Sequence, residues 1–179
     1  ARPEVSTDEV SATAQAEIDR LSSTIDGLNT TIEGLNATIA RRHEINHGLL
    51  VLRVVPDEPL PPFTPGQYTV LGMPGSAPRS PHAEPEEPAA DPEKIIKRAY
   101  SIASDAKENH YIDMIIRRVP NGICTTWCFE HLKQGDPVKL NGPYGDFRLS
   151  ETEAPMVFVA GGSGMAPFVS ILSQMRNTG

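Results

Sequence analysis

Arg98-Ala99-Tyr100-Ser101 is the stretch that decides the fold, because three further motifs follow it in a telling order. They are Gly122-Ile123-Cys124-Thr125, Gly142-Pro143-Tyr144-Gly145 and Gly162-Ser163-Gly164-Met165-Ala166-Pro167. An arginine can fork onto a phosphate. A tyrosine two residues on falls on the same face of a strand and can lay its ring along a flavin. The serine beside it offers a hydroxyl to that ring. A glycine followed by a hydroxyl residue lets backbone N–H groups approach a pyrophosphate where a helix starts. One such motif says little; four in this order describe one site.

Outward from Arg98 the chain reads as short strands. Residues 38–43 and 49–55 are strand-like, with Asn46-His47-Gly48 turning between them. Residues 61–71 are a proline-rich turn feeding a third strand. Residues 74–93 hold six prolines with Glu84, Glu86, Glu87, Asp91 and Glu93. That composition predicts a long acidic loop that does not pack and leaves the next strand, 99–103, unaltered. Residues 111–119 form a further strand, ended by Pro120-Asn121-Gly122; 125–132 suit a short helix, and 137–141 a last strand. Six short strands with one helix predict a mainly β fold, a small closed antiparallel barrel. After Pro155 the pattern changes. Met156-Val157-Phe158-Val159-Ala160 is a continuous apolar run, as in a strand buried on both faces. A glycine turn and a helix over 167–176 follow, the opening strand–turn–helix of an α/β nucleotide-binding sheet.

Upstream, Ile18, Leu21, Ile25, Leu28, Ile32 and Leu35 alternate spacings of three and four. This is a heptad with Ile at one seam position and Leu at the other, the pattern of a two-stranded parallel coil. Gly27 and Gly34 each cost about 1 kcal/mol in a helix interior. A dimerisation helix through residues 18–35 therefore stands beside two alternatives, a helix lying on the body and a loosely ordered extension.

The bulk numbers exclude several classes. At 179 residues the chain can bury one good core. A net charge of −7 argues against nucleic acid and anionic membranes. No run reaches the ~18 apolar residues of a membrane span. The two cysteines, Cys124 and Cys128, read as reduced thiols and predict a cytoplasmic protein. The five histidines show no metal-ligand spacing, so no metal is expected.

On these motifs, residues 36–179 resemble the ferredoxin–NADP reductase superfamily of FAD-binding oxidoreductases. Arg98-Ala99-Tyr100-Ser101-Ile102-Ala103-Ser104 resembles the signature of its bacterial members. The 142–147 and 156–167 stretches are closer to the NADH-dependent reductase modules of oxygenases and sodium-pumping quinone reductases. The resemblance implies a six-stranded Greek-key flavin barrel over 37–153, followed at 154–179 by the start of an NAD(P)-binding domain; the heptad helix over 1–36 lies outside it. It implies FAD as cofactor and NAD(P)H as donor or acceptor. It places Arg98 on the pyrophosphate, Tyr100 against the ribityl chain and ring, Ser101 near flavin N5, and Ala99 between them. Arg117 and Val119 would line the flavin. Gly122 and Thr125, with the N–H groups of Ile123 and Cys124, would form the pyrophosphate turn. Ser163 would sit near the flavin–nicotinamide contact, and Gly162, Gly164 and Pro167 would form the dinucleotide turn. The implied reaction is hydride transfer between NAD(P)H and flavin N5, with single electrons passed to ferredoxin, another iron–sulfur protein or a flavodoxin. The alternative is a flavin-binding or assembly subunit without turnover of its own. The family's nicotinamide domain is a five-stranded sheet, whereas this sequence supplies one strand and one helix, so weak donor binding is expected.

Overall fold

Alternation of apolar and polar residues builds the body of the molecule. The computed structural model describes residues 7–33, 35–87, 89, 91–152 and 154–178. The strands are β1 (Ala37–Asn46), β2 (Leu49–Pro56), β3 (Tyr68–Pro74), β4 (Ile95–Ser101), β5 (Ile112–Arg117) and β6 (Pro137–Tyr144). In β2, Leu50, Leu52 and Val54 point inward, and the antiparallel register sets them opposite Ile116, Met114 and Ile112 of β5. All six are buried. The outer face of the same pair carries a two-pronged ion pair, Arg53 to Asp113 at 2.8 Å for both nitrogens.

The strands run β4-β3-β6-β1-β2-β5 in one antiparallel sheet. Insertion of β6 between β3 and β1 is the Greek-key crossover. The expected closed barrel is corrected here. The sheet curls until its edge strands β4 and β5 approach, but they join only at an isolated bridge, Ile102 to Met114, reinforced by Ala103 N–H to the Asp113 carbonyl at 2.7 Å. No ladder closes the rest, because the chain leaving β5 turns at Asn121, whose φ is +59°, into helix α2 (Ile123–Glu130). The gap between β4 and the start of α2 is the opening on which the site is built.

Helix α2 plugs the rolled sheet, with Trp127, Cys128 and Phe129 buried in the main core beside Ile39, Leu71 and Leu140. It lacks a basic residue in its last turn. Arg42 of β1 supplies the cation instead, donating to the carbonyls of Phe129 at 2.6 Å and Cys128 at 3.4 Å, where the helix carries its partial negative charge.

Two expectations on the flanks change. Residues 156–160 form no strand: Val157 and Val159 are 87% and 85% exposed, and no described strand lies beside them to complete a ladder. An apolar run predicts burial, but a strand exists only through its neighbour's hydrogen bonds. The helix after them does form, as α3 (Met165–Thr178), entered through a 3-10 turn at Gly162–Gly164. Phe168 of α3 packs between Phe147 and Phe158, with ring centroids 6.1 and 5.1 Å away. At the other end, α1 (Thr7–Glu33) is the expected helix. Leu35 lies beyond its end, so the heptad runs one position further than the helix. The side chains of Leu28 and Ile32 lie outside the described residues.

The acidic loop is also corrected. Ser80 is buried at 4% exposure. Arg79 is pinned to the Ala77 carbonyl at 2.6 Å, the Gly75 carbonyl at 3.0 Å and the Glu86 carboxylate at 3.0 Å. Proline-rich acidic composition argues against a hydrophobic core, yet polar contacts hold this loop without one.

Candidate flavin site

Strand β4 is an edge strand, so one side of its backbone is open to a ligand. Across the gap stands the turn that enters α2. Together they enclose a groove of about 270 Å³ lined by Arg98, Ala99, Tyr100, Val119, Gly122, Ile123, Cys124 and Thr125. Ligand sites usually measure ~300–1,000 Å³, so this groove cradles part of an extended molecule rather than enclosing a whole one.

Each wall has a chemical character. Arg98 is exposed and spends one N–H on the Lys97 carbonyl at 2.8 Å, which leaves most of its guanidinium fork facing the groove mouth. Tyr100, two residues along, packs against the core. Burial pushes its phenol above the usual tyrosine range. Burial likewise raises the Cys124 thiol, while the charge of Arg98 opposes that rise. Both groups are therefore neutral near pH 7, and Arg98 is the charge the groove presents.

The opposite wall adds a second positive element. Helix α2 has neither a side-chain cap nor an acidic residue in its first turn. Its first ladder bond is Thr126 N–H to the Gly122 carbonyl at 2.9 Å, so the N–H groups of Ile123, Cys124 and Thr125 precede the ladder. A Cβ on Gly122 would come within 2.7 Å of Thr125 Oγ1, which explains glycine at that position. The Thr125 hydroxyl faces inward, accepting from Val119 N–H at 3.2 Å and lying 3.2 Å from the Gly122 carbonyl. Its hydroxyl therefore tightens the turn rather than facing a ligand. An arginine on one side and free helix N–H groups on the other suit a pyrophosphate, and Tyr100 supplies an aromatic floor.

Not every expected residue joins this groove. Ser101 sits one residue beyond Tyr100, so its side chain projects from the other face of β4. It stands in a cross-strand row with Tyr68 and Tyr144, whose rings meet at 5.8 Å between centroids. Tyr144 of the Gly142–Gly145 turn stands at the Ser101 end of β4, away from Arg98. Arg117 lines a neighbouring cavity of about 590 Å³ with His47, His82 and Arg118. Gly162, Ser163, Gly164 and Pro167 lie at the entry to α3, outside the groove; the Arg117 side chain approaches Gly162. Among the described residues no His, Cys, Asp and Glu cluster could hold a metal, and no helix is long and apolar enough to cross a membrane. Sequence reasoning missed the Ser80–Glu130 and Arg42–Phe129 contacts, whose partners stand 50 and 87 residues apart.

Residues 88–149 match the oxidoreductase FAD-binding domain. The chain is 39% identical over 119 residues to the reductase subunit of an aromatic O-demethylase from an Amycolatopsis species, covering 64% of this chain and 30% of that one. It is 32% identical over 143 residues to the propane 2-monooxygenase reductase component of Rhodococcus jostii, covering 79% and 34%. The crystal structure of an Amycolatopsis cytochrome P450 reductase superposes with a TM-score of 0.63 at 34% identity, over 78% of this chain and 38% of that one. The chain thus spans about a third of the length of the curated relatives it matches. The rolled Greek-key sheet, the groove beside β4 and the matched segment place this chain among the FAD-binding oxidoreductases of the ferredoxin–NADP reductase superfamily.

Proposed function

We propose that the protein is a flavin reductase module that takes a hydride from NAD(P)H and passes single electrons to an iron–sulfur or flavodoxin carrier. The observation that carries this reading is the groove, in which Arg98, Tyr100 and the Gly122–Thr125 turn converge from two distant parts of the chain. When bound, FAD supplies a hydride acceptor that can release electrons one at a time. The protein's own part is to hold and orient. Arg98 and the N–H groups of Ile123 and Cys124 bind the pyrophosphate from opposite sides. Tyr100 and Ala99 lie along the ribityl chain and ring. Ser101, at the end of the edge strand, holds a hydrogen bond at the reacting nitrogen, and Val119 and Arg117 border the ring. Gly162, Ser163, Gly164 and Pro167 face the donor. The domains of this reading are the helix over 1–36, the flavin domain over 37–153 and a donor segment over 154–179. The unpaired thiols of Cys124 and Cys128 suit a reducing cytoplasm.

The heptad of α1 pairs two copies of the chain. Ile18, Leu21 and Ile25 are 57%, 46% and 56% exposed, so this stripe does not lie on the body. Flanking Ser22 and Thr24 carry no charge that would set like helices apart.

The test is anaerobic mixing of the FAD-loaded protein with millimolar NADH or NADPH. Given the weak donor binding expected from the sequence, either nucleotide should bleach the flavin only slowly, without saturating at millimolar concentration. Ser101→Ala should slow that bleaching more than it weakens FAD binding, because the hydroxyl acts where charge changes in the transition state. A flavin that dithionite bleaches but neither nucleotide does would contradict the donor half of the reading.

A further inference from the structure

The acidic loop between β3 and β4 touches the flavin turn and the far end of α2. The neck of the loop is closed by Gly75 N–H to the Lys94 carbonyl at 2.6 Å. No side chain fits there, since a Cβ on Gly75 would come within 2.1 Å of the Asp91 carbonyl oxygen. Inside the loop, Arg79 joins Gly75, Ala77 and Glu86 into one unit. From that unit two contacts reach out. The Glu84 amide donates to the Asn121 carbonyl at 2.9 Å, in the turn just before Gly122. The buried Ser80 hydroxyl donates to the carboxylate of Glu130, the last residue of α2. The other oxygen of Glu130 accepts from Arg118, immediately after β5. Ser80 Oγ also accepts the His82 amide at 3.1 Å. The segment from Arg118 to Glu130, which supplies one whole wall of the groove, is therefore held by the loop at Asn121 and Glu130, and its own two ends are tied together by the Arg118–Glu130 pair.

We infer that this loop is a clamp on the flavin turn and that Ser80 and Glu130 are positioning residues, setting the Val119–Thr125 wall at the distance from Arg98 that a pyrophosphate requires. The inference rests on the flavin reading of the groove. Its physical basis is preorganisation. A wall already fixed in its bound shape loses less conformational freedom when the ligand arrives. Neither residue touches the groove, so neither contributes a contact of its own. The negative charge of Glu130 also stays matched within the clamp, because Arg118 binds it.

Ser80→Ala removes one oxygen, and Glu130→Gln keeps the side-chain shape while losing the charge. Each variant is compared with the unsubstituted protein by FAD titration, by melting of the FAD-free form and by amide exchange over residues 119–125. The expected result is FAD binding weakened by up to roughly tenfold through lost preorganisation, with faster exchange in the turn; the FAD-free form should also melt somewhat lower, because the Ser80–Glu130 bond is made without FAD. Ser80→Thr, which keeps the hydroxyl, should restore binding and exchange. Two independent variants guard against one failing to fold. If the unsubstituted protein binds FAD and both variants bind within about twofold of it, the clamp is wrong. If the unsubstituted protein ignores FAD, the flavin reading fails instead. Exchange then decides the clamp alone: acceleration confined to the turn supports it, and unchanged exchange overturns it.

Discussion

Arg98, Tyr100 and Cys124 show how burial sorts residues that a motif treats alike. Arg98 remains in water at the groove mouth, where a cation costs nothing to hold. Tyr100, Cys124 and Cys128 are raised above their usual ranges, in each case chiefly by burial. An acid whose pKa rises on folding stabilises the folded state fully below its unfolded value, and that contribution fades as the pH climbs past it. For the thiols the unfolded value is about 8.5. Unfolding free energy from urea titrations should thus be level from pH 7 to about 8.5 and decline above it. The same thiols should resist alkylation in the folded protein and react once urea unfolds it; rapid alkylation under native conditions would contradict their burial. The residues at this scale were largely legible. Seven of the eight groove-lining residues belong to the quoted motifs, because backbone turns and strand spacing have local signatures, while Val119 was implied only by the family resemblance. Thr125 was named as part of the turn; that its hydroxyl closes the turn is a detail that only the neighbouring Val119 carbonyl and amide reveal.

At the scale of elements, local periodicity predicted type well and partnership poorly. The β1–β2 hairpin, α2 and α3 fall within a few residues of expectation, since each carries its own pattern and turn. Residues 156–160 failed as a strand because strand formation depends on a neighbour that periodicity does not encode. The acidic loop failed in the opposite sense: its anchors are single polar bonds to Asn121 and Glu130, invisible to composition. Helix α1 is the element whose partner is most open to direct test. If its Ile and Leu stripe joins two chains, the unsubstituted protein should sediment as a dimer at micromolar concentration. Ile18→Asp with Ile25→Asp, which puts charge on the seam, should return it to monomer. An unsubstituted protein that already sediments as a monomer would end the coiled-coil account.

For the whole molecule, the decisive feature is a sheet that rolls without closing. Six antiparallel strands and their Greek-key order were expected; the missing ladder between β4 and β5 was not, because closure is a property of sheet curvature and of what fills the gap. The seam rests on Ile102 and Met114, both fully buried. Met114→Ala should cost about 2–5 kcal/mol of stability, the range for emptying a buried large side chain, as read from urea denaturation. It should also loosen the edge strand that carries Arg98.

The central claim is that this open seam, with Arg98 on one side and the α2 turn on the other, holds FAD. Titration of the purified protein with FAD, followed by flavin fluorescence, tests it most directly. The account predicts saturable binding of one FAD per chain, weakened by about 1.5–3 kcal/mol in Arg98→Ala, the worth of a hydrogen bond to a charged group. FAD that remains free at every protein concentration, or that binds equally well without Arg98, would contradict it.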